Sequence, residues 1–122
     1  MATLDEVKAA LDNGTPVIDC RNQKSYDARH IPGAILIPEN DMYNPDGTFK
    51  DKQELRSYFT DKGITEKTPV ITYCNTGTTA TVQYFALKEI LGCKDVQDYD
   101  GSLTEWYFTL HLPVVEPTDS GI

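Results

Sequence analysis

Cys74 stands where a sequence most clearly sets up chemistry. It closes the apolar run Val70-Ile71-Thr72-Tyr73 and opens the stretch Asn75-Thr76-Gly77-Thr78-Thr79-Ala80, which leads straight into a helical pattern. Strand, short polar loop and helix start together make a candidate anion nest. Successive loop N–H groups turn inward toward Cys74 Sγ, and the positive end of the following helix points at the same spot. Both effects favour thiolate over thiol, so the expectation is a depressed Cys74 pKa and a nucleophilic sulfur. Gly77 permits a backbone conformation closed to most residues. The hydroxyls of Thr76, Thr78 and Thr79 can donate to bound sulfur or to an oxyanion, with Asn75 beside them. The competing reading is an inert cysteine buried at a strand end. The polar or glycine positions that follow Cys74 favour the nucleophile, because a buried strand end is not usually succeeded by them.

A second group, Asp19-Cys20-Arg21, closes an earlier apolar run. Arg21 is a nearby cation that could meet an anionic substrate, with Lys24 and Arg29 as others, although a structural or solvated role competes in each case. Asp19 either orients Arg21 or the loop, or binds exposed N–H groups at the strand end. Cys20 could resolve an oxidised Cys74. Alternation along the strand turns it away from the face used by Asp19, which argues against that couple. The cysteines at 20, 74 and 93 contain no C-x-x-C pair, so reduced thiols are expected rather than a disulfide framework or a zinc site. His30 and His111 lack acidic neighbours at ligand spacing, which argues against a bound metal; His30 is expected to be a hydrogen-bonded structural imidazole. No cofactor is expected.

Four segments with helical apolar spacing must position these groups. Thr3 and Glu6 form a capping box before Leu4, Val7 and Leu11, and Gly14 ends that helix. Leu55, Tyr58 and Phe59 lie on a second helix stopped by Lys62-Gly63-Ile64, with Ile64 packing back on the last turn. A third spans about 79–91, with Val82, Phe85, Ala86 and Ile90 on one face and Gly92 as terminator. The fourth opens with a box at Ser102 and Glu105 and buries Leu103, Trp106, Tyr107 and Leu110. Strands are expected at 16–19, 34–37, 70–73 and 96–99, the first three buried on both faces. Residues 38–50 read as a surface loop centred on Asn44-Pro45-Asp46-Gly47. Strands alternating with helices imply right-handed crossovers, a mostly parallel sheet and an α/β sandwich, with ligands beyond the carboxyl ends of the strands.

The 122 residues, with 39% hydrophobic and 25% charged content, suit one domain over 1–122 with its own core. The net charge of −8 makes nucleic acid and anionic membranes poor partners. No apolar run reaches the roughly 20 residues of a membrane span, and no secretory pattern opens the chain. Cytoplasmic is the expected location, for a chain in which a removed leader would leave no trace.

Asp19-Cys20-Arg21, His30-Ile31-Pro32-Gly33-Ala34, the Tyr73-Cys74 loop, and Tyr99-Asp100-Gly101-Ser102 followed by Glu105-Trp106 resemble, in order and spacing, the signature segments of rhodaneses. The resemblance covers nearly the whole chain. It is closest to the C-terminal catalytic half of tandem thiosulfate and 3-mercaptopyruvate sulfurtransferases, where Pro45-Asp46-Gly47-Thr48-Phe49-Lys50 also has a counterpart. It implies a central parallel sheet of about five strands with helices on both faces. It also implies a Cys74 thiolate that takes sulfur from a small-molecule donor as a persulfide and passes it to a thiol or cyanide acceptor in ping-pong fashion. A second rhodanese domain is an implied partner. Related phosphatase loops are one residue longer and end in Arg, whereas position 80 is Ala80, which removes the phosphate clamp. The loop also lacks the cation common in thiosulfate-specific relatives, and Leu103 stands where relatives usually have Trp. A catalytically weak rhodanese module that binds or regulates a partner is therefore the alternative.

Overall fold

The computed structural model describes residues 2–74, 81–99 and 101–115. Helix α1 (Leu4–Asn13) begins as its sequence predicts, with Thr3 and Glu6 capping each other reciprocally, and ends at Gly14 with φ 82°. Strand β1 (Val17–Asp19) follows. Helix α2 (Gln23–Ala28), capped by the Asn22 side chain, was not anticipated: it buries none of its residues and so carries no apolar stripe. Strand β2 (Ile35–Leu36) is a two-residue edge strand, half-buried rather than buried on both faces.

The segment expected to be a surface loop contains a 3-10 turn at Glu39–Met42. That turn anchors the loop by driving Met42 fully into the core. Beyond it, Tyr43 and Phe49 bridge across the predicted Asn44–Gly47 turn. Helix α3 (Lys52–Asp61) is capped by Asp51. It stops where Ile64 N–H reaches Phe59 O at 2.9 Å and Gly63 N–H reaches Thr60 O at 2.9 Å, a Schellman motif with Ile64 buried under the turn. Gly63 sits at φ 82°, and a Cβ there would meet nothing within 4 Å. Gly63→Ala should therefore be destabilised only by left-handed backbone strain, about 1–2 kcal/mol, read as a lower urea midpoint with unchanged slope.

Strand β3 (Val70–Tyr73) is buried along its whole length. Helix α4 (Thr81–Phe85) runs on as a wider π-helical stretch, Ala86–Ile90, where Leu91 N–H bonds Ala86 O five residues back. Gln83, Ala86 and Leu87 are fully buried, while Phe85, expected in the core, is 47% exposed and packs against Phe49. Strand β4 (Val96–Asp98) leads to a last helix, α5 (Thr104–Thr109), also wound with five-residue bonds. Leu103 and Trp106 are buried as expected, but Leu110 is 45% exposed. The Ser102–Glu105 capping box does not form: Glu105 accepts from the Tyr99 hydroxyl, and Ser102 turns to other partners.

The sheet runs β2-β1-β3-β4 with every pairing parallel. The fold class is the expected α/β sandwich, with four strands described where about five were expected. At the β4 edge, Ala2 N–H bonds Asp98 O at 3.0 Å, a single bond that does not make a further strand. Alternation along the strands sorts the core into two layers. Ile18, Cys20, Val70 and Cys74 pack with Leu55, Phe59 and Leu87 on the α3/α4 face. Val17, Ile71 and Tyr73 pack with Val7, Leu103 and Trp106 on the α1/α5 face. Each large apolar side chain so buried contributes about 1.5–3 kcal/mol.

Candidate active site

The two central strands, β1 and β3, deliver the residues singled out from the sequence to one edge of the sheet. Their register pairs Asp19 with Tyr73, so Asp19-Cys20-Arg21 and Cys74 meet at the carboxyl ends, where open parallel sheets gather ligands. The residues expected to form the nest, Asn75, Thr76, Gly77, Thr78 and Thr79, with Ala80, lie outside the described residues.

Cys74 is gripped by the turn that follows β4. Its N–H donates to Ser102 Oγ at 3.0 Å, and its carbonyl accepts from Leu103 N–H at 3.0 Å. The Ser102 hydroxyl also lies 3.9 Å from Cys74 Sγ and 2.7 Å from Tyr99 O. A hydroxyl has one proton, and the shorter contact takes it, but rotation about the Cβ–Oγ bond brings the same proton to the sulfur. Ser102 holds φ at 52°, a left-handed conformation that a non-glycine residue adopts at a cost and that tends to mark functional turns. Reading Ser102 as a helix cap missed this role, although its place in the Tyr99–Ser102 segment marked the region. Ser102→Ala should leave the buried Cys74 N–H without an acceptor and cost about 1–3 kcal/mol. Ser102→Gly should cost less, because it also relieves the left-handed strain; urea unfolding of the pair separates the two effects.

The Cys74 side chain is fully buried. None of the three cysteines is in a disulfide.

Asp19 and Arg21 form the polar half of this edge. Asp19 is wholly buried and Arg21 nearly so. Arg21 Nη2 lies 2.7 Å from Asp19 Oδ2, its Nε donates to Oδ1 at 3.0 Å, and its backbone N–H donates to Oδ1 at 2.9 Å. The Tyr73 hydroxyl donates to Oδ2 at 2.6 Å and accepts from Ile31 N–H at 3.1 Å. Burial and the Asp19 carboxylate push the Tyr73 phenol well above its usual range, so it serves as a fixed donor. Asp19 fills both of the roles weighed for it, because the same carboxylate orients the Arg21 guanidinium and caps the strand-end N–H. Arg21 further donates to Arg29 O, which ties the start of the His30–Ala34 segment to the same network. His30 stacks on Tyr26 with ring centroids 3.7 Å apart, and its Nδ1 lies 2.8 Å from Tyr26 O.

Gln83 was not anticipated. It is fully buried in α4, and its Nε2 donates to Cys20 O at 3.3 Å and Ile37 O at 2.9 Å. A polar residue between apolar helix positions was the available signal. It fastens the helix that follows the Cys74 loop to the carboxyl end of β1.

Residues 3–109 match the family described as "Rhodanese-like domain". The chain belongs to that family. Among curated relatives of this rhodanese-like chain, a "Putative thiosulfate sulfurtransferase" of Haloferax volcanii is 37% identical over 90% of the chain and 44% of the relative. The "Sulfur carrier protein TtuD" of Thermus thermophilus is 38% identical over 84% of the chain and 36% of the relative. The chain thus spans less than half the length of these relatives. Solved structures of EanB, among them a complex with ergothioneine covalently linked to a cysteine persulfide, superpose with a TM-score of 0.84 at 23% identity, over 94% of this chain and 31% of theirs. That likeness establishes the shared fold. No helix among the described residues is long and apolar enough to cross a membrane.

Proposed function

We propose that this rhodanese-like domain is a sulfurtransferase in which Cys74 carries sulfur as a persulfide between a small donor of the thiosulfate or 3-mercaptopyruvate type and a thiol or cyanide acceptor. The observation that carries this reading is the placement of Cys74: it directly follows the central strand β3, is held through both backbone groups by the Ser102–Leu103 turn, and precedes α4. The names of the relatives from Haloferax volcanii and Thermus thermophilus support sulfur transfer as the chemistry.

In the first half-reaction the Cys74 thiolate attacks the outer sulfur of the donor, the donor's sulfur–sulfur or carbon–sulfur bond breaks, and the donor leaves with the bonding pair. In the second, the acceptor attacks the outer persulfide sulfur and the Cys74 thiolate departs. Asn75, Thr76, Gly77, Thr78 and Thr79 are the proposed binding loop. Asp19 and Arg21 are proposed to shape its floor as a neutral ion pair. Incubation with thiosulfate or 3-mercaptopyruvate should add one sulfur atom to the intact mass, and cyanide should remove it. A wild-type mass unchanged by either donor would sink the proposal.

The burial of Cys74 favours one alternative, a rhodanese module that binds a partner with little turnover. Alkylation separates the two: rapid modification of Cys74 by iodoacetamide at mildly acidic pH supports the enzyme, and inertness until alkaline pH supports the binding module.

A further inference from the structure

We propose that Cys20 is a resolving thiol for Cys74, closing an intramolecular Cys20–Cys74 disulfide when Cys74 is oxidised by a hydroperoxide. The inference rests on reading Cys74 as the reactive sulfur and adds a second residue to its chemistry.

The register of the two central strands carries it. Val17, Ile18 and Asp19 pair in turn with Ile71, Thr72 and Tyr73, and Cys20 N–H continues the ladder to Tyr73 O at 2.9 Å. One residue further along the same register, Cys20 stands opposite Cys74. Alternation does turn Cys20 away from Asp19, but the same alternation turns Cys74 away from Tyr73, so the two thiols share a face. The packing agrees: Cys20 and Cys74 belong to one apolar cluster, and Tyr73 to the other. Neighbouring strands lie about 4.7–4.9 Å apart, inside the range of about 4.4–6.8 Å between Cα atoms that a disulfide spans. Bringing the Cβ atoms to bonding distance takes a movement on the order of 1 Å, which is easier at a strand end than within a ladder.

Environment sets the order of events. Burial raises the Cys20 thiol well above its ordinary pKa, and the charges at Asp19, Cys74 and Asp98 raise it further. Cys20 therefore stays protonated and unreactive, and Cys74, the proposed nucleophile, reacts first. In the first step the Cys74 thiolate attacks one peroxide oxygen, the O–O bond breaks, and the peroxide is reduced to an alkoxide or hydroxide as sulfur is oxidised to the neutral sulfenic acid. The loss of the Cys74 charge removes one of the repulsions that hold the proton on Cys20. In the second step Cys20 sulfur displaces hydroxide from the sulfenic sulfur, and the Cys20 proton leaves with that hydroxide as water. The disulfide spares Cys74 from irreversible sulfinic and sulfonic acids, and an external dithiol restores both thiols. The third cysteine, Cys93, lies between α4 and the start of β4, with its sulfur 3.8 Å from Thr65 O on the α3–β3 connection, so it serves as the internal control.

The test treats the reduced, full chain with hydrogen peroxide, alkylates what remains, and reads intact mass and peptide map. The expected wild-type product is two hydrogens lighter, has Cys20 and Cys74 in one linked peptide pair, and retains Cys93 as the alkylated cysteine; dithiothreitol returns all three thiols. Cys20→Ala and Cys20→Ser should instead gain oxygen at Cys74 and fail to recover fully. A wild type that gains oxygen at Cys74 while Cys20 stays alkylatable overturns the inference. So does a disulfide that is intermolecular or uses Cys93, and so does a thiol count unchanged by peroxide. The wild-type readout alone decides, whether or not the variants fold. Thiosulfate loading, weighed on the same reduced sample, reports on sulfur transfer separately: loading without the disulfide sinks only this inference, and the disulfide without loading supports it while sinking the transfer reading.

Discussion

Cys74→Ser is expected to abolish sulfur transfer, with turnover from thiosulfate or 3-mercaptopyruvate to cyanide falling about 10³-fold or more, as when a covalent nucleophile is removed from other enzymes. The size follows from the chemistry. A serine hydroxyl at this position is not ionised at neutral pH and cannot form a stable hydrosulfide adduct, so both half-reactions lose their carrier at once. The fold should not contribute to the loss. The backbone bonds at residue 74 to Ser102 and Leu103 are made by main-chain groups and survive the exchange, and serine differs from cysteine by one atom. Unfolding free energies from urea that agree within about 1 kcal/mol would locate the defect in chemistry. Cys93→Ala, whose sulfur touches the α3–β3 connection rather than the strand tips, should retain wild-type turnover. Measurable transfer by Cys74→Ser above the buffer rate would remove the persulfide from the account.

What could be seen in the sequence was what is encoded locally. The reciprocal Thr3–Glu6 cap, Gly14, and the Lys62-Gly63-Ile64 stop each depend on contacts within a few residues, and α1 and α3 appear with those ends. The short apolar run ending at Tyr73 likewise placed Cys74 at a strand tip. The failures lie where geometry depends on partners distant in sequence. Phe85 turns outward onto Phe49, and Leu110 is left outward at the end of the five-residue winding of α5; a regular helical period expresses neither. Helix α2 is held by its Asn22 cap and buries no residue, so no apolar stripe announced it. Cys20 shows the same limit: alternation told which way it turned relative to Asp19, but only the β1–β3 register shows that Cys74 turns the same way. The Tyr73–Asp19 bond joins residues 54 apart and is invisible to any local pattern.

That bond belongs to the feature whose loss should cost the most stability. Asp19→Ala is expected to destabilise the fold by about 3–5 kcal/mol, the range for removing one partner of a buried ion pair. The charge of Arg21 would remain with 7% exposure, facing a cavity instead of a carboxylate, and the Tyr73 hydroxyl and Arg21 N–H would lose their acceptor together. Tyr73→Phe removes one neutral donor and leaves the ion pair, so it should cost nearer 1 kcal/mol. Asp19→Asn should fall between them, since an amide oxygen still accepts from Tyr73 but cannot balance Arg21. Removing both charges at once, as Asp19→Leu with Arg21→Met, should recover much of the loss, because an apolar pair of similar volume avoids burying ions at all. Urea unfolding of the four proteins reads the series directly. If Asp19→Ala and Tyr73→Phe cost the same, the carboxylate is not balancing Arg21, and the polar edge beneath Cys74 is held by the phenol alone.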